Sequence, residues 1–456
     1  MPSPPPALGP STAPQRTSFD VAIIGGGPGG AAAAIALADR GRRVAVFERE
    51  LFPRFHIGES LLPASNPIFE RLGIARQVAS AGFVEKLGAS FVTEDGALEC
   101  AIDFTACRSL RSPQTYQVPR ARFDALLLDR ARQVGAEVFT GHRVAEIELG
   151  NAGVRLSVAD RSSQGSRSAV EAATVIDASG QAGFLAKRLG LRQIDPELRN
   201  VAVYAHYRGI PRPAGPQRGN IRVVSRFDLG WVWLIPLPDG VTSVGVVRSR
   251  EAHRASRSQD PADQLEELLA ATPVLAGTLA QAERIGPAHV AADFSYAPSA
   301  YAGDRWLLAG DAGSFLDPVF STGVLLALES GIEAADEVDR ALARDDLSAP
   351  SFRRYDRRQR RRYRHFRRFV RQFYDPCFRD LFFQPTSRFG ILDAVVGALA
   401  GDWRPGLRHR LALSIFFGLA ALQRRVTLVP RSHSGLLAPW RSKGEPPCPT
   451  PSPSAT

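Results

Sequence analysis

Apolar residues follow two rhythms along this chain. Phe19-Asp20-Val21-Ala22-Ile23-Ile24 is a short, nearly unbroken apolar run ending in glycines, residues 31–39 form a strong helix former stopped by Gly41, and residues 43–47 make a second run. Strand, helix and strand at this spacing predict a β-α-β unit, the start of a parallel sheet. Runs at 138–140, 144–149, 154–159, 174–177 and 306–309 are expected to complete that layer. A second set alternates apolar with polar: 90–93, 115–118, 201–208, 221–226 and the pair 231–237 and 241–248, which flank the turn Pro238-Asp239-Gly240. These predict a separate, mostly antiparallel sheet inserted between pieces of the first. From 351 to about 429 the pattern turns helical and aromatic-rich. There Phe352, Tyr355, Gln359, Tyr363, Phe366, Val370 and Phe373 recur every three or four residues, one apolar stripe on a helix. Residues 1–17, with six prolines, and 436–456 carry no period and are expected to be disordered tails. No internal repeat is evident.

Composition narrows the class. With 44% hydrophobic and 23% charged residues over 456 positions, a wholly disordered or collagen-like chain is excluded. No apolar run reaches the roughly 18 residues of a membrane span. The stretch 411–422 is too short and lies between Arg410 and Arg424, and the proline-rich start lacks the apolar core of a secretory signal. Cys100, Cys107, Cys377 and Cys448 form no C-x-x-C pair, which speaks against a disulfide scaffold or a thiolate metal site and for a reducing cytoplasm.

Charge is concentrated. The formal net charge is +11, and of the cations only Lys86, Lys187 and Lys443 are lysines. Positions 353–371 hold eleven arginines against one acid, Asp356, so a basic segment and not a basic protein needs explaining. The expectation is an amphipathic helix docked on the main body, its arginines solvated or paired with acids. The functional alternative is a surface that steers an acidic carrier protein. No nucleic-acid-binding module is recognisable, and arginine density alone does not make one.

The first chemistry is the loop Gly25-Gly26-Gly27-Pro28-Gly29-Gly30, which satisfies G-x-G-x-x-G at Gly25, Gly27 and Gly30. It follows a strand, opens a helix, and is answered by Glu48 at the end of the next strand. Glycines let backbone approach a pyrophosphate, the helix N-terminus favours its charge, and the acid accepts from ribose hydroxyls. A dinucleotide cofactor is therefore expected. Thr322 and Gly323 precede the apolar run 324–328, so their amides face a small anion at a helix start.

Six further segments carry a resemblance. Trp306-Leu307-Leu308-Ala309-Gly310-Asp311-Ala312 resembles the second FAD fingerprint of the p-hydroxybenzoate-hydroxylase fold, and Gln117-Val118-Pro119-Arg120-Ala121-Arg122-Phe123-Asp124 resembles its arginine-bearing segment. Phe52-Pro53-Arg54-Phe55-His56-Ile57-Gly58-Glu59-Ser60 and Gly230-Trp231-Val232-Trp233-Leu234-Ile235-Pro236 resemble the P-R-x-x-x-G-E-S and W-x-W-x-I-P segments of flavin-dependent halogenases, from about Asp20 to Ser330. Asp317-Pro318-Val319-Phe320-Ser321-Thr322-Gly323 resembles the loop that lies beside their flavin ring, and residues 82–89 resemble the stretch carrying their essential lysine.

The fold this implies is α/β: a p-hydroxybenzoate-hydroxylase-like, Rossmann-type FAD-binding domain over 18–345, an inserted substrate sheet (about 85–120 and 195–300), and a helical region over 346–435. The resemblance implies FAD contacts from Arg54, Ser60, Arg120, Val144, Asp311, Pro318, Gly323 and Val324 beside the loop glycines and Glu48. It implies a halide site at Thr322 and Gly323, catalytic roles for Lys86 and Ser321, and Trp231 and Trp233 keeping substrate from the flavin. In such enzymes reduced FAD, oxygen and chloride or bromide give hypohalous acid, which a lysine delivers to the aromatic. An amine suits this because burial lowers its pKa; a guanidinium cannot be deprotonated. Asp177-Ala178-Ser179-Gly180-Gln181 resembles the halogenase form of a segment that in hydroxylases also docks a nicotinamide, which implies reduced flavin from a separate reductase. Phe320 stands where tryptophan-type members carry a glutamate, so the pattern points to the phenol and pyrrole branch, some of whose substrates ride on carrier proteins. A hydroxylase or reductase of the same fold, and a flavin-binding interaction protein, are the alternatives.

Overall fold

Two large sheets share one hydrophobic core. The computed structural model describes residues 17–431 except 108–109, 111, 162–165, 257 and 293–294, so the expected tails lie almost wholly outside the described residues. The first sheet runs Ala302–Gly303, Trp306–Leu308, Arg167–Asp177, Ser18–Ile24, Val44–Glu48, Glu137–Thr140, with Val154–Asp160 and His142–Leu149 hairpinned onto its long strand. Ser18–Ile24 pairs in parallel with both neighbours and is buried along nearly its whole length, as an apolar run without alternation requires.

Behind this sheet, helix α1 (Pro28–Ala38) packs between α2 (Arg120–Gln133) and the long helix α3 (Gly323–Ala343). α1 and α3 touch backbone to backbone, since a Cβ on Gly331 would stand 2.1 Å from the Gly29 carbonyl oxygen. Gly331→Val is therefore expected to lower the urea midpoint by an amount equivalent to about 1–3 kcal/mol. Gly418→Ala, where a Cβ meets nothing within 4 Å, is expected to be neutral or slightly stabilising under the same titration.

The second sheet has seven strands in the order Glu283–Ala292, Asn200–Arg208, Thr242–Ser249, Trp231–Pro236, Ile221–Ser225, Gly88–Thr93, Glu99–Asp103. Alternation sorts its side chains. Val203, Ala205, Val224, Val232, Leu234, Val244 and Val246 face the helix Pro261–Ala270, while Tyr204, Phe91, Val223, Trp231, Trp233 and Ile235 join the core shared with the first sheet. The turn at 238–240 is where expected, with Asp239 and Gly240 both left-handed (φ 59° and 72°).

Three details depart from the sequence reading. Thr115–Gln117 does not join this sheet but pairs with Val84–Lys86 in a two-stranded ribbon. Gly88–Thr93 lies parallel to Ile221–Ser225 in an otherwise antiparallel sheet. Glu283–Ala292 is an unforeseen edge strand: it is exposed or half-buried at every position and so has no alternation to read.

Helices α4 (Arg353–Phe373), α5 (Pro376–Phe382), α6 (Ile391–Leu399) and α7 (Leu407–Gln423) close the far side. The stripe of α4 is inward, with Phe352, Tyr355, Phe366, Val370 and Phe373 buried and Tyr363 half-buried. Several of its arginines find acids on distant segments: Arg362 lies between Glu329 and Glu333 (2.9 and 2.7 Å), and Arg367 reaches Asp195 and Glu197. Among the described residues no helix is long and apolar enough to cross a membrane.

Candidate active site

The glycine loop is shaped by contacts that leave one face open. Gly25 is left-handed (φ 102°), and a Cβ there would stand 2.4 Å from the Ala178 carbonyl oxygen. A Cβ on Gly30 would stand 1.9 Å from the Gly25 oxygen, so the turn tolerates neither. A Cβ on Gly27 would meet only Arg54 within 4 Å, which leaves room for a diphosphate at the start of α1. Glu48 is buried at the adjoining strand end and accepts from the Gly26 and Glu50 amides, both at 2.8 Å.

Arg54, beside Gly27, and Arg120 converge on one buried carboxylate. Arg120 makes two hydrogen bonds to Asp124 (2.8 and 3.0 Å) and donates to the Ile57 carbonyl at 2.7 Å. Arg54 reaches the same Asp124 at 3.2 Å, while its buried Nη1 has no hydrogen-bond partner. An unpaired guanidinium nitrogen beside an open glycine is what an anionic cofactor satisfies. Asp311 is half-buried near Arg120 and Arg192, at the start of the turn after Trp306–Leu308. These residues fit FAD: glycines, helix N-terminus and arginines for the diphosphate, and acids for hydroxyl groups. Val144 sits among core residues of its strand, with its side chain buried.

Lys86 ends its ribbon strand inside the protein. It is 1% exposed, and its Nζ donates to Ser60 Oγ at 2.8 Å and to the Leu61 carbonyl at 2.9 Å, 5.5 Å from the centre of the Phe104 ring. Burial lowers its pKa to about 7. Ser60 is thus the lysine's partner. The amine opens on a small pocket walled by Leu62, Phe91, Phe104, Val223, Phe320 and Leu399, with Ser321 also in its lining. Of the lining residues Lys86 and Ser321 are the polar ones, and Phe320 puts a ring, not a carboxylate, into the wall.

Ser321 belongs to a tightly tied loop. It is left-handed (φ 57°), and its amide donates to the Pro318 carbonyl at 2.8 Å. The loop's anchor is Asp317, whose buried Oδ2 accepts from Asn200 Nδ2 (2.9 Å) and the Tyr374 hydroxyl (2.8 Å). Tyr374 in turn accepts from Trp231 Nε1 at 2.9 Å. Burial pushes the Asp317 carboxyl up, and these donors pull it back. From this anchor the chain delivers buried Thr322 as the cap of α3 and Gly323 as its first residue, where a Cβ would meet nothing within 4 Å. Val324 then turns into the core. Trp231 and Trp233 do not line the cavity; Trp233 packs on Gly245 and donates to Ser243 Oγ at 3.2 Å.

A model of an FAD binding domain matches residues 18–342. The 1H-pyrrole-2-carbonyl-[peptidyl-carrier protein] chlorinase of Pseudomonas fluorescens is 32% identical over 83% of this chain and 89% of its own. The corresponding brominase of Pseudoalteromonas luteoviolacea is 34% identical over 74% and 80%. The chain belongs to the flavin-dependent halogenases. The solved flavin-dependent brominase Bmp2 superposes with a TM-score of 0.78 at 30% identity, covering 90% of this halogenase and 100% of that chain.

Sequence reasoning missed Asp124, Asn200 and Tyr374. Asp124 was within reach, four residues after Arg120 on one helix face. Tyr374 and Asn200 carried no signal, because their partner lies 57 and 117 residues away. Glu59 is fully buried with Oε1 3.0 Å from His206 Nε2 and Oε2 unpartnered, and His56 is hydrogen-bonded to the Ile57 carbonyl.

Proposed function

We propose that this halogenase chlorinates or brominates an electron-rich pyrrole or phenol, presented as an acyl group on a carrier protein, with Lys86 passing the halogen to the ring. The observation that carries this is the Lys86 amine and Ser321 together in the lining of one otherwise apolar pocket. When bound, reduced FAD with oxygen supplies the oxidation of halide to hypohalous acid. Thr322 and Gly323 hold the halide at the start of α3 by their amides. With its pKa near 7, Lys86 exists as both amine and ammonium at neutral pH. The amine takes the halogen from hypohalous acid, forming an N–halogen bond and releasing water; the ammonium instead polarises the acid by hydrogen bonding. Transfer to the aromatic carbon returns the lysine nitrogen to its starting form and displaces a ring proton.

The apolar wall, with Phe320 in place of an acid, suits a flat neutral ring. Pyrrolyl-carrier chemistry in the names of two relatives supports a tethered substrate. The Asp177–Gln181 segment supports a separate flavin reductase as the source of reduced FAD. A cytoplasmic setting has support from the buried thiols of Cys100 and Cys107, neither of them in a disulfide.

The test is mass spectrometry of products after incubation with FAD, a flavin reductase, NADH, chloride or bromide, and both free phenols and a pyrrole-2-carbonyl carrier domain. Halide-dependent mass increases are expected on the ring. Hydroxylated product formed equally without halide would overturn the reading in favour of a hydroxylase.

A further inference from the structure

The outer face of α4 carries an arginine row that takes little part in the ion pairs of the fold. Arg353, Arg357, Arg361, Arg364 and Arg368 are exposed and spaced three or four apart, so they form one stripe along the helix. Arg353, Arg357, Arg361 and Arg364 have no acidic partner among the described residues, in contrast to the inward-turned Arg358, Arg362 and Arg367. Solvation alone would explain scattered arginines, but this row lies beside an exposed apolar strip.

That strip is on α7. Leu407 and Leu411 are 81% and 62% exposed, and Leu422 continues the line at helical spacing. Between Asp402 and Glu445 the chain has no acidic residue at all. The two helices touch at Phe417: the Phe369 ring lies 5.0 Å from it, and the Arg368 guanidinium lies 3.8 Å over it. The cavity is close behind them. Its wall residue Phe320 contacts Phe369, and its wall residue Leu399 ends α6, against which α7 packs.

We infer that the α4–α7 face docks the acidic carrier domain that brings the substrate. The inference rests on the carrier-tethered substrate proposed above. Positive charge without local acids steers an anionic partner, exposed leucines give it apolar anchors, and the thin aromatic wall places the face within reach of a pantetheine-length arm. A membrane would have no need of a face next to the cavity. Small residues at Ser414 and Gly418 keep the strip shallow, which suits a helix of a partner domain.

The test uses the full FAD-loaded chain, a fluorescent pantetheinylated carrier domain bearing pyrrole-2-carbonyl, and the variant Arg357→Glu/Arg361→Glu/Arg364→Glu. The parent is expected to bind the carrier with steep salt dependence, and the variant about tenfold more weakly with that dependence flattened. Halogenation of a free phenol should be the same in both. Leu407→Ser/Leu411→Ser should weaken carrier binding without changing its salt dependence. Carrier binding and carrier-borne turnover that match in parent and arginine variant would overturn the docking face and leave the tethered-substrate reading standing. A parent that halogenates free aromatics but neither binds nor modifies the carrier would overturn that reading and this inference together. Equal binding of anionic vesicles by the parent, lost in the variant, would assign the face to lipid and overturn the proposal.

Discussion

Lys86→Met is expected to reduce halogenated product by at least about a hundredfold, the scale on which a positioned proton-transfer or nucleophilic group acts. FAD binding should survive, because the amine's partners are Ser60 and Leu61 and not the glycine loop. Halide-dependent oxidation should persist too, detected as hypohalous acid caught by an added trap. Product that remains at parental level would remove the lysine from the mechanism. The pH profile gives a second readout. A limb of the parental rate with a midpoint near pH 7, absent from the variant's residual rate, would report the lysine's own titration.

Stability adds a control on the same group. The folded pKa of Lys86 is lowered from 10.5 to about 7, so between those values the unfolded chain holds the extra proton. Its contribution therefore rises with pH across that window and is lost as pH falls toward 7. Lys86→Met should flatten this part of the urea-midpoint profile while the rest of the curve keeps its shape.

Asp317→Ala is expected to have the second largest effect. It strands the Tyr374 hydroxyl and the Asn200 amide in a buried site, at about 1–3 kcal/mol for each group left unpaired. It also frees the segment that presents Ser321, Thr322 and Gly323. The halide KM should rise about tenfold or more, because a loosened loop no longer holds its amides in one geometry. FAD affinity, which the glycine loop and arginines are expected to support as well, should change less. Tyr374→Phe removes one donor and keeps the ring, so the halide KM should move in the same direction by a smaller step. Equal losses of FAD and halide affinity in both variants would reduce the network to general packing.

How much of this could be read from the chain depended on how far apart the interacting residues lie. The β-α-β unit was legible because its period, its glycines and Glu48 fall within one short segment. Lys86 stood out chemically, as one of three lysines among 54 arginines. Its burial was not legible, since that depends on Ser60, Leu61 and Phe104 arriving from two other segments. Likewise α4 announced its apolar stripe, but not which arginines meet Glu329, Glu333 or Asp195 and which stay in water. Trp231 was legible as a motif and misleading as a shape: its indole N–H is tied to Tyr374, one strand away from the cavity wall.

The FAD-domain match stops at residue 342, yet the hydroxyl that fastens the loop at 317 comes from residue 374. A chimaera that joins this cofactor module to the tail of a relative would thus inherit the loop at 317–323 without its clasp unless the graft also supplies a tyrosine at that point. The junction that the family boundary suggests cuts between a carboxylate and the hydroxyl that holds it.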